Sequence, residues 1–232
     1  MTPTDLMTTR RMPLRLVIFD CDGVIVDSEP VSNRILAEEL TSLGWPMATA
    51  EATRRFLGVT LADMVPTIEA RLGHRLPADW RDAVTARIVT ALARESTAIP
   101  GAVEALRAVM ALGVPWRVAS NSSHPEMAAK FNRLGIGELV RGRVHSHTDV
   151  ARGKPAPDLF LAAATAEGVR PAECLVVEDS LPGVRAAVAA GMECLGFAPH
   201  SDGAALRALG AVPFRAMAEL PALIAAAWQR AA

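Results

Sequence analysis

The apolar pattern of the chain begins at residues 14–19, a run rich in β-branched side chains that ends in Asp20-Cys21-Asp22-Gly23. Such a run predicts a strand buried on both faces of a parallel sheet. Side chains alternate across a strand, so Asp20 and Asp22 leave the same side, about 6.6 Å apart if the chain stays extended. Because two carboxylates at this spacing repel each other, we expect a cation between them or a shared proton.

The next part of the chain has apolar positions at helical spacing throughout. The predicted helices lie at about 31–43, 49–56, 60–72 with a kink at Pro66, and 77–95,. No segment of this part has the pattern of a core strand. We therefore predict an all-helical cap domain, residues 32–97, inserted into a catalytic core that is formed by residues 1–31 and 98–232.

From residue 100 onward, strand and helix patterns alternate. Strands are predicted at 115–121, 143–146, 174–179, 194–197 and 212–214, and helices at about 101–112, 124–134, 157–167, 182–190 and 217–230,. Repeated βα units of this kind favour a parallel sheet with helices on both faces. The predicted fold is therefore α/β, with a Rossmann-like parallel sheet core and the inserted helical cap.

Composition narrows the function classes. The formal net charge is −1, from 24 basic and 25 acidic residues, and this balance provides no general attraction to nucleic acid or to an anionic membrane,. No apolar run reaches the length of a membrane span. The three cysteines are odd in number and lack paired metal spacing, which is typical of a reducing compartment,. We expect a cytoplasmic protein, monomeric by default, with neither nucleic acid nor membrane as a partner.

In parallel α/β sheets, ligands bind at the carboxyl ends of the strands. The polar residues that follow the predicted strands, or that lie in the adjoining loop, are Asp20, Asp22, Ser120, Asn121, Lys154, Glu178 and Asp179. Each has an ordinary explanation by itself, since serine and asparagine cap helices and a loop lysine is commonly solvated. Their common position at one edge of the sheet instead predicts a shared crevice.

The residue types in this crevice indicate phosphoryl transfer. A cluster of carboxylates is the ligand set that Mg²⁺ prefers. The Ser120 hydroxyl and the Lys154 ammonium can bind phosphate oxygens, and the pair Ser123 and Glu126 predicts a capped helix N-terminus beside them,. A carboxylate such as Asp20 can attack phosphorus, while a second one can donate a proton to the leaving oxygen and later accept one from water.

Four motifs carry a resemblance to a known family. Asp20-x-Asp22-Gly23-Val24, the strand-terminal Ser120, Gly153-Lys154-Pro155-Ala156-Pro157-Asp158 and Glu178-Asp179-Ser180 occur in the order found in the haloacid dehalogenase-like hydrolase superfamily. The chain resembles this superfamily over nearly its whole length. Residues 19–29 are similar to the branch of sugar-phosphate phosphatases and β-phosphoglucomutase. The resemblance therefore implies a phosphoric monoester hydrolase with a small phosphorylated substrate.

The resemblance also implies roles for individual residues. Asp20 would be the nucleophile and Asp22 the acid and base, with Ser120 and Lys154 on the phosphoryl group. Mg²⁺ would be held by Asp20, the Asp22 backbone carbonyl and Asp179, with Glu178 in support. Asn121 and Arg55 are predicted to bind substrate, since Arg55 lies in a stretch similar to phosphatases of sugar acids such as 6-phosphogluconate.

Three departures from the mutase pattern favour hydrolysis. Relatives of the mutase carry histidine where this chain has Ser32, and lysine and arginine where it has Leu57 and Leu61. Those basic groups would hold the second phosphate of a bisphosphate intermediate. Haloacid dehalogenases themselves lack the second aspartate, so Asp22 argues against dehalogenation. A sugar phosphomutase is the alternative, and a non-catalytic sugar-phosphate binder is a third hypothesis.

Overall fold

The computed structural model describes residues 13–56 and 59–228. Within these residues, the strands of the central sheet are β1 Leu16–Phe19, β4 Trp116–Ser120, β5 Val144–Ser146, β6 Cys174–Glu178, β7 Glu193–Phe197 and β8 Val212–Phe214. All six are parallel, and they lie side by side in the order β5-β4-β1-β6-β7-β8. The predicted parallel α/β sheet is confirmed, because every predicted strand has its counterpart in this list.

Alternate side chains of β1 enter two different apolar cores. Val17 and Phe19 pack with helices on one face of the sheet, whereas Leu16 and Ile18 pack with helices on the other. All four are buried, which explains why this strand reads as an apolar run without alternation,. The helices around the sheet are α5 Ala102–Ala111, α6 His124–Arg133, α7 Gly137–Val140, α8 Asp158–Ala166, α9 Leu181–Ala189, α10 Ala204–Ala208 and α11 Leu220–Trp228.

Between the first and second sheet strands, four helices pack around an apolar core of their own. They are α1 Glu29–Ser42, α2 Thr49–Phe56, α3 Leu61–Leu72 and α4 Trp80–Glu95. Helix α3 continues through Pro66, and α4 begins three residues later than predicted because Ala78 and Asp79 form a turn. The grouping of these helices as a cap domain remains our prediction. Within the described ranges, no helix has both the length and the apolar composition needed to cross a membrane.

The two ends of this helical block are joined by a small ribbon that the sequence pattern did not predict. Strand β2, Val26–Asp27, pairs antiparallel with β3, Thr97–Ala98. With two residues each, these strands are too short for any period to be visible in the sequence. The short helices α7 and α10 were missed for the same reason. The chain therefore enters and leaves the helical block at one place, beside the loop that follows β1.

Candidate active site

Four side chains meet at the carboxyl ends of β1 and β6, and we call them the Lys154 group: Asp20, Lys154, Glu178 and Asp179. They meet because β1 and β6 are neighbours in register, with Phe19 opposite Val177. Lys154 Nζ lies 2.8 Å from Asp20 Oδ1 and 2.8 Å from Glu178 Oε1. Carboxylate oxygens of Asp20, Glu178 and Asp179 lie within 4.8 Å of one another. The ammonium thus pairs with two of the three clustered carboxylates.

The backbone around this group is shaped to bring the carboxylates close. Glu178 is fully buried, and its Oε2 accepts hydrogen bonds from the backbone N–H groups of Asp179 at 2.8 Å and Ser180 at 2.7 Å. A Cβ atom at Gly183 would lie 1.7 Å from Glu178 Oε1, and one at Gly23 would lie 2.0 Å from Asp179 Oδ2. Only glycine permits such close approach of the backbone.

The electrostatics of the Lys154 group show an excess of negative charge. Burial raises the pKa of Asp20 to about 8, helped by Glu178 and opposed by Lys154. Burial and the neighbouring Glu178 and Asp20 likewise raise the pKa of Asp179 to about 9. A divalent cation would remove this excess, and a set of donors made only of oxygen suits Mg²⁺. The residues present therefore fit the metal that the resemblance implies.

A second set of residues surrounds the Asp22 carboxylate, and we call it the Lys130 group: Asp22, Ser28, Ser120, Ser122 and Lys130. Asp22 Oδ1 accepts hydrogen bonds from Ser28 Oγ and from Lys130 Nζ, the latter at 2.5 Å. Asp22 Oδ2 accepts from Ser120 Oγ at 3.0 Å and from Ser122 Oγ at 2.8 Å. Four donors, one of them an ammonium, therefore hold this single carboxylate.

The charges within the Lys130 group balance. Burial opposes ionisation of Asp22, but the Lys130 ammonium and the hydrogen bonds from Lys130, Ser28 and Ser122 outweigh it, so the pKa of Asp22 falls to about 2. Asp22 and Asp20 thus follow the same strand with opposite pKa shifts. Contrary to the expectation from their spacing, the Asp22 carboxylate is not part of the three-carboxylate cluster, and the cation beside it is a lysine.

Sequence reasoning missed Lys130 and Ser122. Lys130 lies on α6 and is only 2% exposed, between the buried Met127 and Phe131. A lysine at a position of the apolar stripe of a helix was the available signal, because such a position normally holds an apolar residue. The predicted cap of this helix is confirmed, since the Glu126 carboxylate accepts from the Ser123 N–H at 2.7 Å.

The two predicted substrate-binding residues are engaged elsewhere in this structure. The Asn121 side chain bonds the backbone of Lys154 twice, donating from Nδ2 to its carbonyl at 3.0 Å and accepting at Oδ1 from its N–H at 2.8 Å. Arg55 is exposed on α2, where it pairs with Glu51 at 3.3 Å and lies over the Trp45 ring at 5.2 Å. Their contact with substrate stays a prediction.

A family model described as haloacid dehalogenase-like hydrolase matches residues 14–191. The chain belongs to the haloacid dehalogenase-like hydrolases. The 6-phosphogluconate phosphatase of Escherichia coli K12 is 31% identical to this chain over 191 residues, which cover 81% of this chain and 85% of that protein. The predicted resemblance is thereby confirmed, as is the enzyme class, a phosphoric monoester hydrolase.

Solved structures agree with this assignment. A HAD family hydrolase from Deinococcus radiodurans R1, solved with bound phosphate and sodium, is 34% identical with a TM-score of 0.74, and the match covers 93% of this chain and 96% of that one. A putative β-phosphoglucomutase from Thermotoga maritima is 28% identical with a TM-score of 0.74, covering 91% and 99% of the two chains. The fold is therefore shared with a HAD family hydrolase and with a protein named as a putative β-phosphoglucomutase.

Proposed function

We propose that this chain is a Mg²⁺-dependent phosphatase that hydrolyses a small phosphorylated metabolite, a sugar phosphate or a sugar-acid phosphate, through an aspartyl-phosphate intermediate. One observation carries this proposal. Asp20 and Asp22, two residues apart at the end of β1, belong to separate lysine–carboxylate groups. Two similar carboxylates with different surroundings are what a nucleophile and a proton-transfer residue require.

In the first step, a carboxylate oxygen of Asp20 attacks phosphorus, and the bond from phosphorus to the leaving oxygen breaks. The Lys154 ammonium reduces the repulsion between Asp20 and the anionic phosphoryl group. Asp22 is ionised in the free chain, where its pKa is about 2. It takes up a proton as the anionic substrate binds beside it, since a neighbouring negative charge raises the pKa of a carboxyl. It then donates that proton to the leaving oxygen, so that an alcohol departs. In the second step, Asp22 accepts a proton from water, which attacks the aspartyl-phosphate, releases inorganic phosphate and regenerates Asp20.

The residues that would hold Mg²⁺ are Asp20, Asp179 and the Asp22 backbone carbonyl, with Glu178 in support. When bound, the ion supplies positive charge that favours both ionisation of the carboxylates and binding of the phosphoryl oxygens. Glu178 also has a role of its own in this chain, since its Oε1 accepts a hydrogen bond at 2.8 Å from the same Lys154 ammonium that pairs with Asp20.

The substrate class is supported by the relatives and by the helical block. The relative in Escherichia coli is named for 6-phosphogluconate, a phosphorylated sugar acid. An arginine on α2, Arg55, is exposed and available to meet a substrate carboxylate if it leaves Glu51. We propose that the helical block acts as a cap that covers the site and excludes water during the first transfer.

A sugar phosphomutase is the second candidate, favoured by the similarity to the putative β-phosphoglucomutase of Thermotoga maritima. Against it stand Ser32 on α1 and Leu61 at the start of α3, where mutase-like relatives carry basic side chains. Leu57, the third such position, lies outside the described residues. With fewer groups to hold a second phosphate, hydrolysis remains the preferred proposal.

The test is a panel of sugar phosphates, sugar-acid phosphates and nucleotides, assayed for phosphate release with Mg²⁺ and with EDTA. We expect Mg²⁺-dependent release from at least one sugar or sugar-acid phosphate, and a single dephosphorylated product. Isomerised sugar phosphate without net phosphate release would instead support the mutase. A chain that turns over none of the panel in either assay would contradict both functions.

A further inference from the structure

We propose that Lys130 is a positioning residue that acts through Asp22, so that this enzyme uses one buried lysine for the nucleophile and a second for the proton-transfer residue. This inference rests on the proposed phosphatase function.

The position of Lys130 in α6 indicates a specific role. Its neighbours on the buried face, Met127 and Phe131, belong to the apolar core beneath the sheet, and the lysine side chain is as buried as they are. An ammonium in such a place is costly unless a charged partner offsets the loss of water. An apolar residue would serve packing better, so packing does not explain the lysine.

The hydrogen bonds of Lys130 all converge on one carboxylate. Lys130 Nζ donates to Asp22 Oδ1 at 2.5 Å and to Ser122 Oγ at 2.7 Å, and Ser122 Oγ in turn donates to Asp22 Oδ2 at 2.8 Å. The ammonium thus reaches one oxygen directly and the other through a hydroxyl. Because each of the two carboxylate oxygens has its own donor, the orientation of the carboxylate plane is fixed as well as its position.

The donors come from different parts of the fold. Lys130 lies within α6, Ser120 ends β4, and Ser28 precedes α1 of the helical block. Lys130 is the cation among them, and it is fixed by a helix whose N-terminus is capped by Glu126. The other three donors are neutral hydroxyls that rotate easily, so the lysine is the element that determines where the charge of Asp22 lies.

Lys154 performs a different task, because its ion pairs are with Asp20 and Glu178. Loss of Lys130 should therefore leave phosphate binding and metal binding in place. Although Asp22 becomes easier to protonate without the ammonium, its carboxylate loses its fixed orientation, so we expect both proton transfers to become slower. This separation can be measured by changing the leaving group. The leaving group of an alkyl phosphate is a strongly basic alkoxide and needs the proton from Asp22. The leaving group of p-nitrophenyl phosphate, p-nitrophenolate, departs readily without a proton.

The experiment compares Lys130→Met with the wild type on a sugar phosphate and on p-nitrophenyl phosphate. Methionine keeps the length of the side chain and suits the apolar stripe. On the sugar phosphate, we expect kcat to fall about 100-fold, within the range for loss of acid–base catalysis, with KM changed less than about threefold. On p-nitrophenyl phosphate, we expect a burst of p-nitrophenol followed by slow turnover, because aspartyl-phosphate forms but its hydrolysis still needs Asp22.

Two further variants make the result specific. Ser122→Ala keeps the lysine but removes the bridging hydroxyl, and it should produce the same pattern with a smaller loss. If Lys130→Met does not fold, Ser122→Ala by itself tests whether these contacts act through Asp22. Arg133→Met removes a cation from an exposed position on the same helix, where the side chain bonds only the Arg94 carbonyl among the described residues, and it should match the wild type.

A wild-type kcat for Lys130→Met on the sugar phosphate, or an equal loss on both substrates without a burst, would overturn the role through Asp22. A folded Ser122→Ala variant with neither the loss nor the burst would do the same where Lys130→Met is unfolded. If the wild type releases no phosphate from any substrate, the proposed phosphatase function fails. If the wild type and Lys130→Met are active and equal, only the role of Lys130 fails.

Discussion

The Lys154 group and the Lys130 group both lie beside the end of β1 and each contains one buried lysine, yet their charges differ. In the Lys154 group, three carboxylates cluster beside a single ammonium, and the pKa values of Asp20 and Asp179 rise to about 8 and about 9. In the Lys130 group, one carboxylate has one ammonium and three hydroxyls, and the pKa of Asp22 falls to about 2.

Burial disfavours the charged carboxylate in both groups, so burial alone does not account for the difference. What differs is the number of cations and hydrogen-bond donors available for each carboxylate. The group with too few cations is suited to bind a metal and an anionic phosphoryl group. The group that is already neutral is suited to hold one proton-transfer residue in a fixed orientation.

The largest expected effect comes from removing Asp20, the proposed nucleophile. Asp20→Asn keeps the shape of the side chain but cannot form an aspartyl-phosphate, so we expect kcat to fall by at least about 10⁴-fold. Phosphate release under saturating substrate measures the loss, and circular dichroism checks the fold. The control is Asp27→Asn, an exposed carboxylate on β2. Wild-type turnover in Asp20→Asn would sink the mechanism.

The next effect is the pH dependence of stability without metal. Folded Asp20 and Asp179 keep protons up to pH about 8 and about 9, whereas the unfolded chain releases them near pH 3.8. Between these values the folded state binds more protons, so the free energy of unfolding falls as pH rises, by at most about 1.4 kcal/mol per pH unit for each group.

Urea unfolding in EDTA at pH 5, 6, 7 and 8 measures this slope, and Asp179→Asn should make it shallower. Asp22 changes the free energy of unfolding in the opposite direction as the pH rises. Its folded pKa of about 2 lies below the unfolded value, so its contribution is complete above pH about 4 and is lost as the pH falls toward 2,. Equal stability of the wild type from pH 5 to pH 8 in EDTA would contradict the charge imbalance.

A smaller effect is expected from the metal itself. Mg²⁺ at about 100 times its dissociation constant should stabilise the folded chain by about 2.7 kcal/mol. Thermal unfolding with and without Mg²⁺ measures the shift, which Asp179→Asn should largely abolish. Ser122→Ala, in the Lys130 group, should keep it. Loss of the Mg²⁺-dependent shift in both variants would mean that metal binding is not confined to the Lys154 group, contrary to the proposal.

The smallest effect is expected at Arg55, which belongs to neither group. Its ion pair with Glu51 is exposed, and such pairs contribute about 0–1 kcal/mol,. If Arg55 meets a substrate carboxylate, Arg55→Ala should raise KM a few-fold for sugar-acid phosphates and leave neutral sugar phosphates unchanged. Arg54→Ala, the adjacent exposed arginine, is the control. Equal changes for both substrate types would exclude recognition of a carboxylate.

The sequence predicts the sheet and the Lys154 group well because both depend on a simple rule. Apolar runs mark buried parallel strands, and the polar residue after each run lies at the same edge. Asp20, Glu178 and Asp179 follow from that rule, whereas Lys154 lies in the loop between β5 and α8. The order of strands in the sheet then determines which of these side chains meet, and the observed neighbours β1 and β6 bring Asp20 and Glu178 to one lysine.

The Lys130 group could not be derived in the same way. Lys130 reaches the site from the middle of a helix, and its contact with Asp22 spans 108 positions of sequence. Ser122 lies in a short run of polar residues, and nothing in the run itself distinguishes a hydroxyl that contacts Asp22 from one that caps a helix. Such contacts depend on how α6 packs on the sheet, which the periodicity of a single helix does not determine.

The two hydrogen bonds between Asn121 and Lys154 imitate a rung of a β-ladder. One side chain both donates to and accepts from the backbone of a single residue, as paired residues of neighbouring strands do,. The residue that follows β4 is thereby joined to the loop that carries Lys154. Both backbone polar groups of Lys154 are therefore fixed, as they would be in a paired strand, although the residue lies in a turn.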